Sequence, residues 1–167
     1  MLTYSISSKK TTMIRKYLFI LLLPVLFSIT SFKPVPSAKI SSILKLNNAD
    51  KITFIENDWN TAVKKASAQK KYIFVDCYAT WCGPCKMLKM RTFTNNRVAD
   101  YFNKNFINVS MDMEAGQGPA LAQQWKIQAY PTLIIFDQNA KPVLGTMGFM
   151  KPDDLMAFAE QALSQRK

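Results

Sequence analysis

Residues 72–86 read Tyr-Ile-Phe-Val-Asp-Cys-Tyr-Ala-Thr-Trp-Cys-Gly-Pro-Cys-Lys, and this stretch constrains the fold more than any other. It begins as an unbroken apolar run, the pattern of a strand covered on both faces. It ends in Cys82-Gly83-Pro84-Cys85 at the expected start of a helix. Two cysteines separated by two residues can close a small disulfide ring. A helix N-terminus offers unpaired N–H groups and the positive end of the helix dipole, which favour a thiolate. The thiolate is the form that attacks disulfides. Strand, tight turn and helix thus place a reactive dithiol at the carboxyl end of a sheet strand, where open α/β sheets bind their ligands.

The rest of the composition narrows the chemistry. The 167 residues suit one domain with a short appendage, and a hydrophobic content of 49% is enough for a core. Histidine is absent, which removes a His base, a His-containing triad and every His metal site. Three cysteines are too few for a one-chain Cys₄ zinc site, and the odd count leaves at least one thiol unpaired within the monomer. Half of a zinc site looks like a bare Cys-x-x-Cys, but without a second pair a metal would need dimerisation. The formal charge is +11. Nucleic acid is one reading of a basic chain. The paired lysines, such as Lys64-Lys65 and Lys70-Lys71, instead suit solvated helix faces and ends, and no nucleic-acid reading motif accompanies them.

The first 31 residues have the layout of an export signal. Lys9, Lys10, Arg15 and Lys16 form a basic flank without acids, residues 17–27 are almost wholly apolar, and Ser28, Thr30 and Ser31 follow. A spanning helix needs about 20 apolar residues; this run is shorter and contains Pro24. Cleavage is expected near Ser31, with an uncleaved anchor and membrane association as the alternative. Met13 would make a more ordinary signal start than Met1. Residues 32–49, with Pro34, Pro36 and several serines, read as a linker, and residues 50–167 as the domain.

Within that domain, residues 51–56 are expected as a first strand, and Asp58 as the cap of a helix carrying Trp59, Ala62, Val63 and Ala66 on one face. Residues 72–78 form the central strand. Asp76 is anomalous there, because a carboxyl in a buried run is either a hydrogen-bonded core residue or a functional acid. Cys77 points to the opposite face and reads as a small buried hydrophobe. Residues 86–91 continue the helix after Cys85, with Met87, Leu88 and Met90 as packing residues, and Thr94 or Asn95 caps another. Residues 106–113 are the next strand, and Gly116 to Gly118 break the chain before a helix opened by Pro119. Residues 132–136 and 143–146 form a hairpin around Asp137–Lys141, and Pro152, Asp153 and Asp154 start a last helix. The order βαβαβαββα says α/β.

Trp81-Cys-Gly-Pro-Cys-Lys86 resembles the active site of the thioredoxin family, whose dithiol is the familiar instance of this redox motif. Asp76, six positions before Cys82, matches the family's buried acid; Tyr130-Pro131-Thr132 matches its cis-proline segment; Gly148 matches its late glycine. The spacing after the motif is similar to exported members, including the C-terminal domain of the bacterial membrane thiol:disulfide interchange transporter. The resemblance implies a thioredoxin fold, a mixed central sheet with helices on both faces, and no cofactor or metal. It implies Cys82, nearest the helix end and most exposed, as the attacking thiolate, Cys85 as the resolving thiol and Asp76 as acceptor of the Cys85 proton. Trp81, Gly83, Pro84, Tyr130 and Pro131 would meet the substrate, the backbone of Tyr130 pairing with an extended segment. One departure stands out: thioredoxins carry a lysine on the strand beside the buried acid, and residues 106–113 contain none.

The function implied is an exported thiol–disulfide oxidoreductase acting as a reductase on protein disulfides, with a membrane dithiol as electron donor. The Gly-Pro dipeptide is that of reducing members, and the N-terminal segment moves the compartment to the periplasm or cell envelope, where disulfides persist. The rival from another class is a binding or assembly module of the same fold in which the dithiol is incidental.

Overall fold

The computed structural model describes residues 50–166. The export segment, the linker and the choice between Met1 and Met13 lie outside the described residues.

Strand β1 is only Ile55–Glu56, shorter than the expected 51–56. The preceding residues bond elsewhere: Ile52 N–H donates to the Phe93 carbonyl at 2.8 Å, and Thr53 N–H to Asn103 Oδ1 at 2.8 Å. A strand needs its N–H groups in a ladder, and these two are already committed. Helix α1 (Trp59–Gln69) starts where Asp58 caps the Thr61 N–H at 2.9 Å, and Lys70 ends it in the left-handed region at φ 52°. Strand β2 (Tyr72–Tyr78) follows.

Helix α2 (Gly83–Met87) runs into a π-helical turn, Leu88–Thr92. Helix α3 (Asn96–Asn105) is capped by Asn95, whose side chain accepts from Val98 N–H at 3.2 Å. Then come β3 (Phe106–Asp112), α4 (Gly118–Gln124), the hairpin β4 (Thr132–Phe136) and β5 (Pro142–Met147), and α5 (Pro152–Ser164). Pro119 lies in the first turn of α4 and Pro152 in that of α5.

The sheet order is β1-β3-β2-β4-β5. β1, β3 and β2 run parallel, and β4 and β5 are antiparallel to their neighbours. The three inner strands β3, β2 and β4 are buried on both faces; β2 and β4 read as nearly continuous apolar runs, whereas β3 buries Asn108, Ser110 and Asp112 along one face. Ile73, Val75, Cys77, Ile107, Val109 and Met111 pack under α1 and α4. Phe74, Phe106, Leu133 and Ile135 pack on the other face against Leu88, Phe93, α3 and α5. Phe74, with no exposed surface, has Phe102 at 4.7 Å between ring centroids; burying one such side chain contributes about 1.5–3 kcal/mol. This is the mixed sheet with helices on both faces that defines the thioredoxin fold.

Gly118 lies tight against the end of β3. A Cβ there would lie 1.9 Å from the Asp112 carbonyl oxygen. No side chain fits, so a glycine opens this helix.

Candidate active site

The site grows from the carboxyl end of β2. A turn closes where Cys82 N–H donates to the Ala79 carbonyl at 3.1 Å, and α2 begins at the next residue. Cys82 is itself the cap: its backbone is extended, and its Sγ accepts the Cys85 N–H at 3.1 Å. Pro84 has no N–H to lose in this first turn. Cys82 and Cys85 form a disulfide, with Cα atoms 5.3 Å apart.

The expected difference in exposure between the two cysteines is absent. Each is only 2% exposed. In the closed ring both sulfurs lie among Ala79, Tyr78 and Tyr130. What distinguishes them is the cap: Cys82 holds the N-terminal position and accepts a backbone N–H there, while Cys85 lies within the helix.

Trp81, just before the dithiol, is 67% exposed. Its indole N–H donates to Glu114 Oε2 at 2.9 Å, and its ring meets Tyr130 edge-on at 6.0 Å. Tyr130 precedes a cis peptide bond to Pro131, and the Pro131 carbonyl accepts the N–H of Gly148 at 2.8 Å. Gly148 has φ 95°, a region that suits glycine. A Cβ placed on Gly83 would meet nothing within 4 Å, so that side of the dithiol is open. Tyr130 packs against the dithiol, Trp81, Gly83 and Pro84 adjoin it along the chain, and Pro131 follows Tyr130 across the cis bond.

Asp76 lies deeper, with no exposed surface. It belongs to a row across the sheet in which Glu56 pairs with Ser110, Ser110 with Asp76, and Asp76 with Leu133. Ser110 Oγ donates to Asp76 Oδ2 at 3.1 Å, whereas Oδ1 has no hydrogen-bond partner among the described residues. Burial pushes the Asp76 carboxyl up to about 6; the Lys89 charge and the Ser110 hydrogen bond pull against it, and Glu56 adds to the rise. The lysine that residues 106–113 lack is replaced by one from another element. Lys89 Nζ is 3.9 Å from Oδ2, reaching down from the π-helical turn. The neighbouring strand carries Ser110 at that point instead, so the cation comes from above the sheet.

Cys77 is buried on the opposite face, and burial, reinforced by Asp76, pushes its thiol well above the usual range. Met90, expected to pack, is instead 66% exposed. Among the described residues no cluster of three or more Cys, Asp and Glu stands close enough to hold a metal ion. A groove of about 590 Å³ lies between residues 124–128 and the β4–β5 hairpin, and neither Cys82 nor Cys85 lines it.

The thioredoxin family model matches residues 50–161, two thirds of the chain and all of the site just described. The chain belongs to the thioredoxin family. It is similar to thioredoxin of Staphylococcus aureus, with 33% identity over 89 residues, 53% of this chain and 80% of the relative. It is also similar to the thiol:disulfide interchange protein DsbD of Pseudoalteromonas atlantica, with 29% identity over 110 residues, 64% of this chain. The matched part is 19% of that relative's length. The solution structure of a candidate disulphide-isomerase from Bacteroides thetaiotaomicron is 38% identical, with a TM-score of 0.63, covering 71% of this chain and 98% of its own. The chain is therefore a thioredoxin-fold, disulfide-oxidoreductase-like protein with its Cys-x-x-Cys motif at Cys82 and Cys85.

Three members of this thioredoxin site escaped the sequence reading. Ser110 and Glu114 lie 34 and 33 positions from the groups they bind, Asp76 and Trp81. Lys89 carried a weak local signal: it is four residues beyond Cys85, on the same side of a helix.

Proposed function

We propose that this chain is an exported protein-disulfide reductase. The observation that carries the reading is the Cys82–Cys85 disulfide at the start of a helix whose next turn reaches buried Asp76 through Lys89.

In the reduced form the Cys82 thiolate attacks one sulfur of a substrate disulfide. A Cys82–substrate disulfide forms, and the other substrate sulfur leaves as a thiolate that takes a proton from solvent. Cys85 then gives its proton, through water, to the Asp76 carboxylate and attacks Cys82 Sγ. The Cys82–Cys85 bond forms, the mixed disulfide breaks, and the second substrate thiolate leaves and is protonated. Two electrons and two protons have passed to the substrate. Asp76 suits this step because burial raises its proton affinity towards neutrality.

Trp81, Gly83, Pro84, Tyr130 and Pro131 are proposed as the surface that meets the substrate chain. The Gly-Pro dipeptide and the likeness to thioredoxin support the reducing direction. The basic and apolar N-terminal segment and the likeness to a thiol:disulfide interchange protein support an envelope location and a membrane dithiol donor.

Insulin reduction with dithiothreitol as donor tests the activity. The wild-type chain is expected to precipitate insulin B chains well above a Cys82→Ser/Cys85→Ser double variant. Equal rates would make it a binding module. Equilibration with glutathione tests direction: a strongly oxidising potential would make it an oxidase.

A further inference from the structure

Lys89 has two contacts that a surface lysine does not need. Its Nζ is 3.9 Å from Asp76 Oδ2 and 3.5 Å from the centroid of the Tyr78 ring. The ring lies two residues beyond Asp76 in β2, on the same face, so one strand supplies both a carboxyl and a cation-binding surface. Lys89 belongs to the π-helical turn Leu88–Thr92, whose extra residue per turn re-aims the side chains after Cys85. Leu88, with no exposed surface, and Thr92, whose Oγ1 donates to the Met150 carbonyl at 2.6 Å, anchor that turn at both ends. The lysine side chain is 37% exposed and lines a recess with Glu56, Phe54 and Phe93. Its ammonium therefore stands between solvent and a carboxyl that solvent does not reach.

We propose that Lys89 is a positioning residue for the dithiol chemistry: held over Tyr78, its charge keeps Asp76 available as the acceptor of the Cys85 proton. This rests on the reductase reading given above. The groups acting on Asp76 are few. Lys89 approaches from the π-helical turn, the Ser110 hydroxyl from β3, and Glu56 from β1; β4 supplies only Leu133. Within β2 the neighbours are Cys77, on the opposite face, and Tyr78. Among the described residues Lys89 is thus the one cation opposing burial and the Glu56 charge. Without it Asp76 holds its proton to higher pH and cannot take another.

The test uses the full chain as wild type, Lys89→Gln and Lys89→Arg. The Asp76 carboxyl is titrated by carbon-detected NMR, and insulin reduction is followed from pH 5 to 9. An opposite charge within about 6 Å lowers a carboxyl by about 1–3 units. A part-exposed ammonium belongs at the low end, so the Lys89→Gln midpoint is expected about one unit higher. Its rate on the acid limb should fall up to about tenfold and recover on the alkaline side. Lys89→Arg should restore the wild-type midpoint and profile. Coincident carboxyl midpoints for Lys89→Gln and wild type would overturn the proposal. A wild-type chain inactive on insulin would sink the reductase reading instead, while the carboxyl titration would still decide the pairing.

Discussion

The indole N–H of Trp81 donates to Glu114 Oε2 at 2.9 Å, tying an exposed ring beside the dithiol to the loop after β3. The tie is itself supported, since Glu114 N–H donates to Asp112 Oδ1 at 3.0 Å. A ring held in place loses less rotamer freedom when a partner docks. Glu114→Ala should therefore leave the fold intact but raise KM for a protein disulfide about fivefold, the equivalent of about 1 kcal/mol for one hydrogen bond. Indole fluorescence anisotropy should fall in parallel. Unchanged anisotropy and KM would mean that the contact does not organise the ring.

The caps of α2 separate the roles of the two cysteines. Cys82→Ser should abolish turnover, because no attacking thiolate remains. Cys85→Ser should instead accumulate mixed disulfides, since attack survives and resolution does not. Non-reducing gels of envelope extract exposed to each variant decide this. Adducts on Cys82→Ser and none on Cys85→Ser would reverse the assignment.

Asp76 ties stability to pH. Its folded value of about 6 lies above the unfolded value, near 3.9 for an ordinary aspartate. The folded state therefore holds this proton more tightly than the unfolded state. The resulting stabilisation is complete below pH 3.9 and is lost as pH rises towards 6 and beyond. The loss at neutral pH is on the order of 3 kcal/mol. Asp76→Asn should remove that slope, making the variant at least as stable as wild type at pH 7 and slower in disulfide exchange. Urea melts at acid and neutral pH, with insulin-reduction rates, check both. A variant less stable at pH 7 and equally active would make Asp76 a structural residue.

Two glycines should respond in opposite ways. Gly118→Ala forces a methyl against the Asp112 carbonyl, 1.9 Å from the ideal Cβ position, and should cost about 1–3 kcal/mol or more by overpacking. Gly83→Ala points into open space and should change stability by no more than about 0.5 kcal/mol. If Gly83→Ala nevertheless slows insulin reduction, the open side of the dithiol is where the partner's backbone comes close. Urea midpoints for both variants separate the effects.

Much of the fold was legible because its signals are local. Asp58 and Asn95 cap the helices that follow them because a short side-chain oxygen reaches an N–H three residues on. The apolar run before Cys82 announced a strand covered on both faces, and Asp137–Lys141 announced the hairpin. Cys82, Cys85, Asp76 and Pro131 could be placed in one site because their order and spacing match a family pattern.

Other features depend on which distant segments meet. Residues 51–54 have strand-like composition, but Phe93 and Asn103 take the hydrogen bonds that a ladder would use. Met90 has the spacing of a packing residue, but the π-helical turn leaves it exposed. The cation beside Asp76 was sought on β3, where Ser110 stands. It comes from Lys89, a residue that in sequence is one lysine among many. Sequence alone determined that a dithiol would cap a helix after a buried strand carrying an acid, because each of those features is decided within one turn or one strand. The tertiary structure decided what faces that acid, because the placement of a helix over a sheet follows from side chains packed across the whole core, here Leu88, Phe93, Phe74 and Leu155.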